Sequence, residues 1–158
     1  MNAHDVVVLR KGTEGLSTAS YADEIRERLP NHDVAVARTP HEERELIADA
    51  RVATGISITE DLIERAENLE LFVVASSGYE HLPLDALDDH GVAVVNASGI
   101  HASGIADQVV GYLIMFTRQL HRALDQQRGR EWRHYQPDEV GGSTVTIVGL
   151  GSIGRTIA

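Results

Sequence analysis

Short apolar runs alternate with amphipathic stretches through residues 5–98 of the chain. The runs are four or five residues long, rich in valine and uncharged after their first residue, which is typical of strands buried in a parallel sheet. They predict five strands, at residues 5–9, 34–37, 51–54, 71–75 and 92–95. Because helical stretches separate these strands, we expect an α/β fold whose sheet is covered by helices on both faces.

Each helical stretch carries a start or stop signal. Thr39, Pro40 and Glu42 form a capping box with proline at the first helical position. The predicted N-caps are Ser17, Thr39 and Thr59. A short fourth helix at residues 84–88 ends before Gly91, which suits the left-handed residue that stops a helix. We place a domain boundary where the fifth strand leaves the sheet, which divides the chain into residues 1–98 and 99–158.

The second domain begins with the most apolar helix of the chain. Apolar residues recur at helical spacing from Ser103 to Gln127, which predicts one long helix. Its main stripe consists of Ile105, Val109, Tyr112, Leu113, Phe116, Leu120 and Leu124, and Val110, Ile114 and Met115 widen it. A helix that is apolar nearly all round is buried on more than one side. We therefore expect it between the two domains, at a subunit interface, or both; an ordinary core helix is the alternative.

The end of the chain contains the strongest functional signal. A β-branched run at residues 144–148 predicts a strand that leads directly into the pattern G-x-G-x-x-G. The residues of this pattern, all candidates for cofactor binding, are Gly149, Leu150, Gly151, Ser152, Ile153 and Gly154. The three glycines of such a turn permit a tight bend, close approach of a pyrophosphate, and close packing of the following helix. The acidic residue expected about twenty positions later would follow Ala158, so we interpret the chain as the front part of a nucleotide-binding enzyme and leave NAD and NADP open.

A second candidate site lies in the loops that follow the fourth and fifth strands. Ser77, Gly78 and Tyr79 follow one strand, and Asn96 follows the other. Ligands of open α/β sheets bind at the carboxyl ends of the strands. Successive backbone N–H groups around Gly78 could hold a carboxylate, with the Tyr79 hydroxyl beside it; a plain turn is the alternative. No metal-ligand spacing, nucleophile elbow or P-loop lysine occurs, so we assign no metal ligand and no catalytic residue.

The composition narrows the classes of function. The net charge of -10 argues against nucleic-acid binding, because phosphates need a basic surface. The longest apolar run, residues 109–116, is too short to cross a bilayer, and the chain has neither a signal-peptide pattern nor cysteine. We therefore expect a cytoplasmic protein. Lys11 is the only lysine among the 14 lysine and arginine residues, a bias that fits a halophilic source and a GC-rich genome about equally well.

From Asn68 onward the chain resembles the D-isomer-specific 2-hydroxyacid dehydrogenases, which include phosphoglycerate dehydrogenase and glyoxylate/hydroxypyruvate reductases. The resemblance rests on motifs in order, at residues 68–73, 77–79, 91–96, 105–107, 130–132 and 148–155. It implies a flavodoxin-like substrate domain in residues 1–98, followed by the start of a Rossmann cofactor domain in residues 99–158. Two positions depart from the family pattern: Asp107 stands where Glu is usual, and residues 80–83 replace the usual Asp-Asn-x-Asp.

The resemblance also implies an activity and a role for each candidate residue. In such enzymes the loop of Ser77 and Gly78 binds the substrate carboxylate, the glycine turn binds NAD or NADP, and Asn96 lies at the crossing between domains. The Ile105 position lies near the nicotinamide. The implied reaction is hydride transfer between a 2-keto acid and a D-2-hydroxy acid. From the apolar circumference of the helix from Ser103 to Gln127 we expect a homodimer formed through that helix. In this family the catalytic Arg, Glu and His follow the glycine turn, so we expect residues 1–158 alone to have no dehydrogenase activity. The alternative is a non-catalytic protein that senses a dinucleotide.

Overall fold

A parallel five-stranded sheet forms the centre of the first part of the protein. The strands are β1 (Val6–Val8), β2 (Val34–Val36), β3 (Val52–Gly55), β4 (Leu71–Val74) and β5 (Ala93–Asn96), in the order β2-β1-β3-β4-β5. The computed structural model describes residues 4–13 and 15–158, which form two compact units divided between Ser98 and Gly99. The parallel α/β architecture predicted from the sequence is confirmed, with each strand end within one residue of its predicted place.

The core of the first unit follows from the alternation of side chains along the strands. Four helices pack on the sheet: α1 (Thr18–Arg28), α2 (Pro40–Ile47), α3 (Glu60–Arg65) and α4 (Leu84–Asp89). On one face the buried side chains include Val7, Phe72 and Val74 from the strands, Leu9 directly after β1, and Ile47, Leu62, Ile63 and Leu87 from α2, α3 and α4. On the other face α1 packs Ala22 and Ile25 against Val6, Val8 and Val34. Burial on both faces explains why β1 is entirely apolar.

The helix starts of the first unit follow the predicted capping chemistry in two cases out of three. Ser17 Oγ accepts a hydrogen bond from the Ser20 N–H (3.1 Å), and Thr39 Oγ1 accepts one from the Glu42 N–H (3.1 Å). Thr59 occupies the N-cap position of α3, but its side chain makes no capping bond there. The stop signal after α4 is confirmed, since Gly91 has the left-handed φ of +68°.

The second unit contains two helices where the sequence predicted one. Helix α5 (Ala102–Thr117) ends before Gln119, whose φ of +52° is left-handed, and α6 (Leu120–Arg128) follows. The prediction of a continuous helix from Ser103 to Gln127 is therefore wrong. The corner is held by contacts from a later segment, since the Tyr135 hydroxyl donates to Gln119 O (3.2 Å) and Arg122 lies over the Tyr135 ring (4.9 Å). Apolar periodicity continues across the corner and cannot report a single left-handed residue.

The predicted strand at residues 144–148 is also absent. None of these residues pairs with a strand among the described residues, and Val148 is 95% exposed. A strand requires a hydrogen-bonded neighbour, whereas β-branched composition expresses only a preference for that conformation. The following helix, α7 (Ser152–Ile157), forms as predicted and packs against α5.

Helix α5 is not covered by its own unit. Tyr112 is 51% and Phe116 67% exposed, and Ala102 is the buried residue of this helix. The helix is therefore apolar around most of its surface, as the sequence indicated, but the apolar surface that we expected to be buried is exposed to solvent in the single chain.

Candidate functional site

The carboxyl ends of β4 and β5 bring together four residues that the sequence singled out. Asn96 Nδ2 donates a hydrogen bond to Ser77 O (2.7 Å), which ties the end of β5 to the loop after β4. Within that loop Ser76 Oγ donates to Gly78 O (2.9 Å). A backbone bond from Ala97 N–H to Ser76 O (3.0 Å) fixes the start of the same loop. Three consecutive carbonyl groups thus have donors of their own, which defines the conformation of the loop.

The backbone of this loop already contacts a carboxylate. The Tyr79 N–H donates to Glu80 Oε2 (3.0 Å), and a Cβ atom built on Gly78 would lie 3.2 Å from the same oxygen. A carboxylate oxygen therefore lies against the Gly78–Tyr79 backbone, and a side chain at residue 78 would push it away by a few tenths of an ångström. The Tyr79 ring is 47% exposed beside it. This geometry can hold the carboxylate of a small acid.

Two neighbouring strand exits are tied to this loop. His81 Nε2 donates to Ile56 O (2.7 Å) after β3, and the Ile56 N–H donates to Lys11 O (2.9 Å) after β1. The exits of β1, β3 and β4 are thereby linked by the His81 side chain and one backbone hydrogen bond. Glu80 and His81 belong to the segment that departs from the family pattern, and the structure shows what these side chains contact.

The sequence did not predict the buried carboxylate of Glu43, which holds the end of β1. Glu43 is 7% exposed; it accepts the Arg10 N–H at Oε1 (2.7 Å) and Arg10 Nε at Oε2 (3.3 Å). The available signal was its position on α2, four residues before the fully buried Ile47 and hence on the same face of the helix.

The glycine turn of the second unit has the backbone features that its pattern requires. Gly149 has a φ of +97°, which disfavours any side chain there. A Cβ atom on Gly154 would lie only 2.0 Å from Gly149 O, whereas one on Gly151 would meet no atom within 4 Å. The third glycine therefore lets α7 pack on the turn, and the second leaves the space in front of the turn open.

The turn lines a groove that suits a phosphate group. The groove has a volume of about 370 Å³ and is lined by Ile147, Val148, Gly149, Gly151, Ser152, Ile153, Gly154 and Ile157. The first bond of α7 runs from the Arg155 N–H to Gly151 O (3.0 Å), so the preceding N–H groups have no acceptor within the helix. Arg155 Nη1 donates to Leu150 O (2.7 Å), which braces the loop. The residues present therefore fit the pyrophosphate of a dinucleotide.

The groups with shifted pKa values lie outside both candidate sites. The hydrogen bond from Arg44 Nε to Asp61 Oδ2 (3.2 Å), with a second from Arg65 Nε to Oδ1 (3.2 Å), lowers the pKa of Asp61. The hydrogen bond and charge of Arg51 lower the pKa of Glu70. Within the described residues, no group of three His, Asp or Glu side chains could hold a metal ion. None of the helices in residues 4–13 and 15–158 has the length and apolarity needed to cross a bilayer.

Comparison with known proteins identifies the family. Residues 6–148 match the D-isomer specific 2-hydroxyacid dehydrogenase family in its catalytic domain. A D-3-phosphoglycerate dehydrogenase of Methanocaldococcus jannaschii is 30% identical over 141 residues, which are 86% of this chain. A glyoxylate/hydroxypyruvate reductase of Arabidopsis thaliana is 33% identical over 116 residues, or 70% of this chain. The chain belongs to the D-isomer specific 2-hydroxyacid dehydrogenase family, so the resemblance seen in the sequence is confirmed.

Solved structures of this class have the same fold. The D-lactate dehydrogenase from Aquifex aeolicus, complexed with NAD and lactic acid, superposes with a TM-score of 0.72 at 16% identity, over 97% of this chain and 46% of that one. The present chain spans 27% of the length of the phosphoglycerate dehydrogenase and 36% of that of the reductase.

Proposed function

We propose that the protein forms part of an NAD- or NADP-dependent dehydrogenase that interconverts a 2-keto acid and a D-2-hydroxy acid. The observation that carries this proposal is the occurrence, in a chain of this family, of a loop shaped to hold a carboxylate together with a glycine turn shaped to hold a pyrophosphate. Residues 1–98 would act as the substrate domain. Residues 99–158 would supply the first part of the cofactor domain.

The substrate carboxylate binds the backbone of Ser77, Gly78 and Tyr79 in this proposal. Asn96 acts as a positioning residue, because its side-chain amide holds Ser77 O. The fixed loop orients the keto acid and spares the entropy of ordering a mobile binding segment. The relatives named above act on different small acids, which supports the class of substrate and leaves its side chain open.

The cofactor binds the glycine turn, with Gly149, Gly151, Ser152 and Gly154 around the pyrophosphate. When bound, a nicotinamide dinucleotide would supply a hydride to the keto carbon or accept one from the carbinol carbon. Ile105 lies in the first turn of α5, the helix that packs on α7, which supports a place for this residue beside the nicotinamide. The Aquifex aeolicus enzyme was solved with NAD; nothing in the present turn favours NAD over NADP.

We further propose that the protein forms a homodimer through α5 and α6. The support is the exposed apolar surface of the two helices, in particular Tyr112, Phe116, Leu120 and Leu124. A second copy that covers this surface would satisfy the burial indicated by the sequence pattern.

The test of the cofactor site is NADH binding, followed by NADH fluorescence, to the wild-type chain and two alanine variants. Gly151→Ala places a methyl group in the open space before the turn without backbone strain, since its φ is -69°. The matched control is Gly141→Ala, which also meets no atom within 4 Å. We expect about a tenfold loss of affinity in the first variant only, in keeping with the loss of close backbone contact.

Two results would contradict the proposal. One is equal NADH binding by both variants, and the other is no binding by any of the three proteins.

A further inference from the structure

The carboxylate of Glu80 lies where the proposed substrate carboxylate binds. Its Oε2 accepts the Tyr79 N–H (3.0 Å) and lies against Gly78, where a Cβ atom would come within 3.2 Å. The same N–H group cannot donate a full hydrogen bond to two carboxylates at once. The site therefore contains an anion that belongs to the protein itself.

The backbone around Glu80 keeps its side chain close to this site. Before Glu80, the loop is held by the hydrogen bonds from Ser76 Oγ to Gly78 O and from Asn96 Nδ2 to Ser77 O. After Glu80, His81 Nε2 donates a hydrogen bond to Ile56 O (2.7 Å). Glu80 itself is exposed, so its side chain can rotate into solvent while its Cα atom stays in place. Rotation would free the Tyr79 N–H, but the negative charge would remain nearby.

We propose that Glu80 is a specificity-determining residue that competes with the substrate carboxylate for the Gly78–Tyr79 backbone and selects monoanionic over dianionic acids. The inference rests on the proposed carboxylate site. Competition follows from the shared N–H donor. Selection follows from Coulomb repulsion, because a ligand with two negative charges is repelled about twice as strongly by Glu80 as a ligand with one.

The experiment compares glyoxylate, a monoanion, with oxalate, a dianion of similar size, as probes of the complete 158-residue chain. Binding is followed by the ¹⁵N–¹H shifts of Ser77, Gly78 and Tyr79 during titration. The variant is Glu80→Gln, which keeps the shape and removes the charge. The matched control is Asp88→Asn, which removes one charge from an exposed residue near the end of α4.

We expect Glu80→Gln to bind glyoxylate about fivefold and oxalate about twentyfold more tightly than wild type, since each unit charge at close range in water changes affinity by about fivefold. Asp88→Asn should change either affinity by less than about twofold, because this exposed side chain lies on α4 and not in the loop, and salt screens its charge. Without any ligand, Glu80→Gln should also shift the Tyr79 amide resonance, and Asp88→Asn should not.

The outcomes separate this inference from the proposed function. If wild type and variant bind both acids equally well, the charge of Glu80 neither weakens carboxylate binding nor selects between the acids, so the inference fails while the carboxylate site stands. If an unchanged Tyr79 resonance accompanies Glu80→Gln, the contact does not exist in solution and the inference fails. If no protein binds either probe at these amides, the proposed carboxylate site is wrong and the inference falls with it.

Discussion

Replacement of Glu43 by alanine is expected to destabilise the first unit by about 1–4 kcal/mol. The carboxylate is 7% exposed and accepts the Arg10 N–H at 2.7 Å. Its removal leaves that backbone donor without an acceptor at the end of β1, which costs about 1–3 kcal/mol. The second contact, from Arg10 Nε at 3.3 Å, adds less than about 1 kcal/mol because the guanidinium is partly exposed.

Two further variants isolate the physical cause. Glu43→Gln keeps an oxygen for the Arg10 N–H and loses only the charge, so we expect a loss of about 1 kcal/mol. Glu45→Ala on the same helix removes an exposed carboxylate that lies 3.3 Å from His41 Nε2, and the expected change is within about 0.5 kcal/mol of zero.

The assay is urea unfolding followed by far-ultraviolet circular dichroism, with amide hydrogen exchange at Val8 as a local probe of β1. Fluorescence is unsuitable, because the single tryptophan, Trp132, lies in the second unit. If Glu43→Ala lost no more stability than Glu45→Ala, the buried hydrogen bonds of Glu43 would contribute nothing net, and our account of the β1 exit would be refuted.

Two other predictions concern charge and assembly. The pKa of Asp61 is lower in the folded protein than its ordinary value of 3.8. Its ion pairs therefore stabilise the fold fully at pH values above 3.8, and this stabilisation is lost as the pH falls through the folded pKa. The urea midpoint of Asp61→Asn should therefore lie below that of wild type at pH 7, and this difference should disappear in acid. Glu64→Gln is the control. A difference that persists in acid would contradict a stabilising role for the Asp61 ion pairs. Sedimentation equilibrium should give twice the mass of one chain. Phe116→Glu should reduce the measured mass to that of a single chain, whereas Leu16→Glu, at an exposed site in the first unit, should leave it unchanged. A wild-type protein with the mass of a single chain would refute the proposed dimer.

Local chemistry was sufficient to predict most elements and the glycine turn. The run from Leu71 to Val74 and the capping residues Ser17 and Thr39 act over a few neighbouring positions, so a sequence pattern reports them directly. The conformation of Gly149 was predictable for the same reason, because φ is a property of one residue and the turn pattern requires glycine there.

Long-range contacts decided the rest. Strand β1 pairs with β3 as well as with β2, and the hydrogen bond between Asn96 and Ser77 depends on β4 and β5 lying side by side. The corner at Gln119 is held by Tyr135, sixteen residues later. Residues 144–148 lack a partner strand despite their composition. A pattern of apolar residues determines which surfaces seek burial, but hydrogen bonds between distant segments depend on which segments meet, and only the tertiary structure determines that.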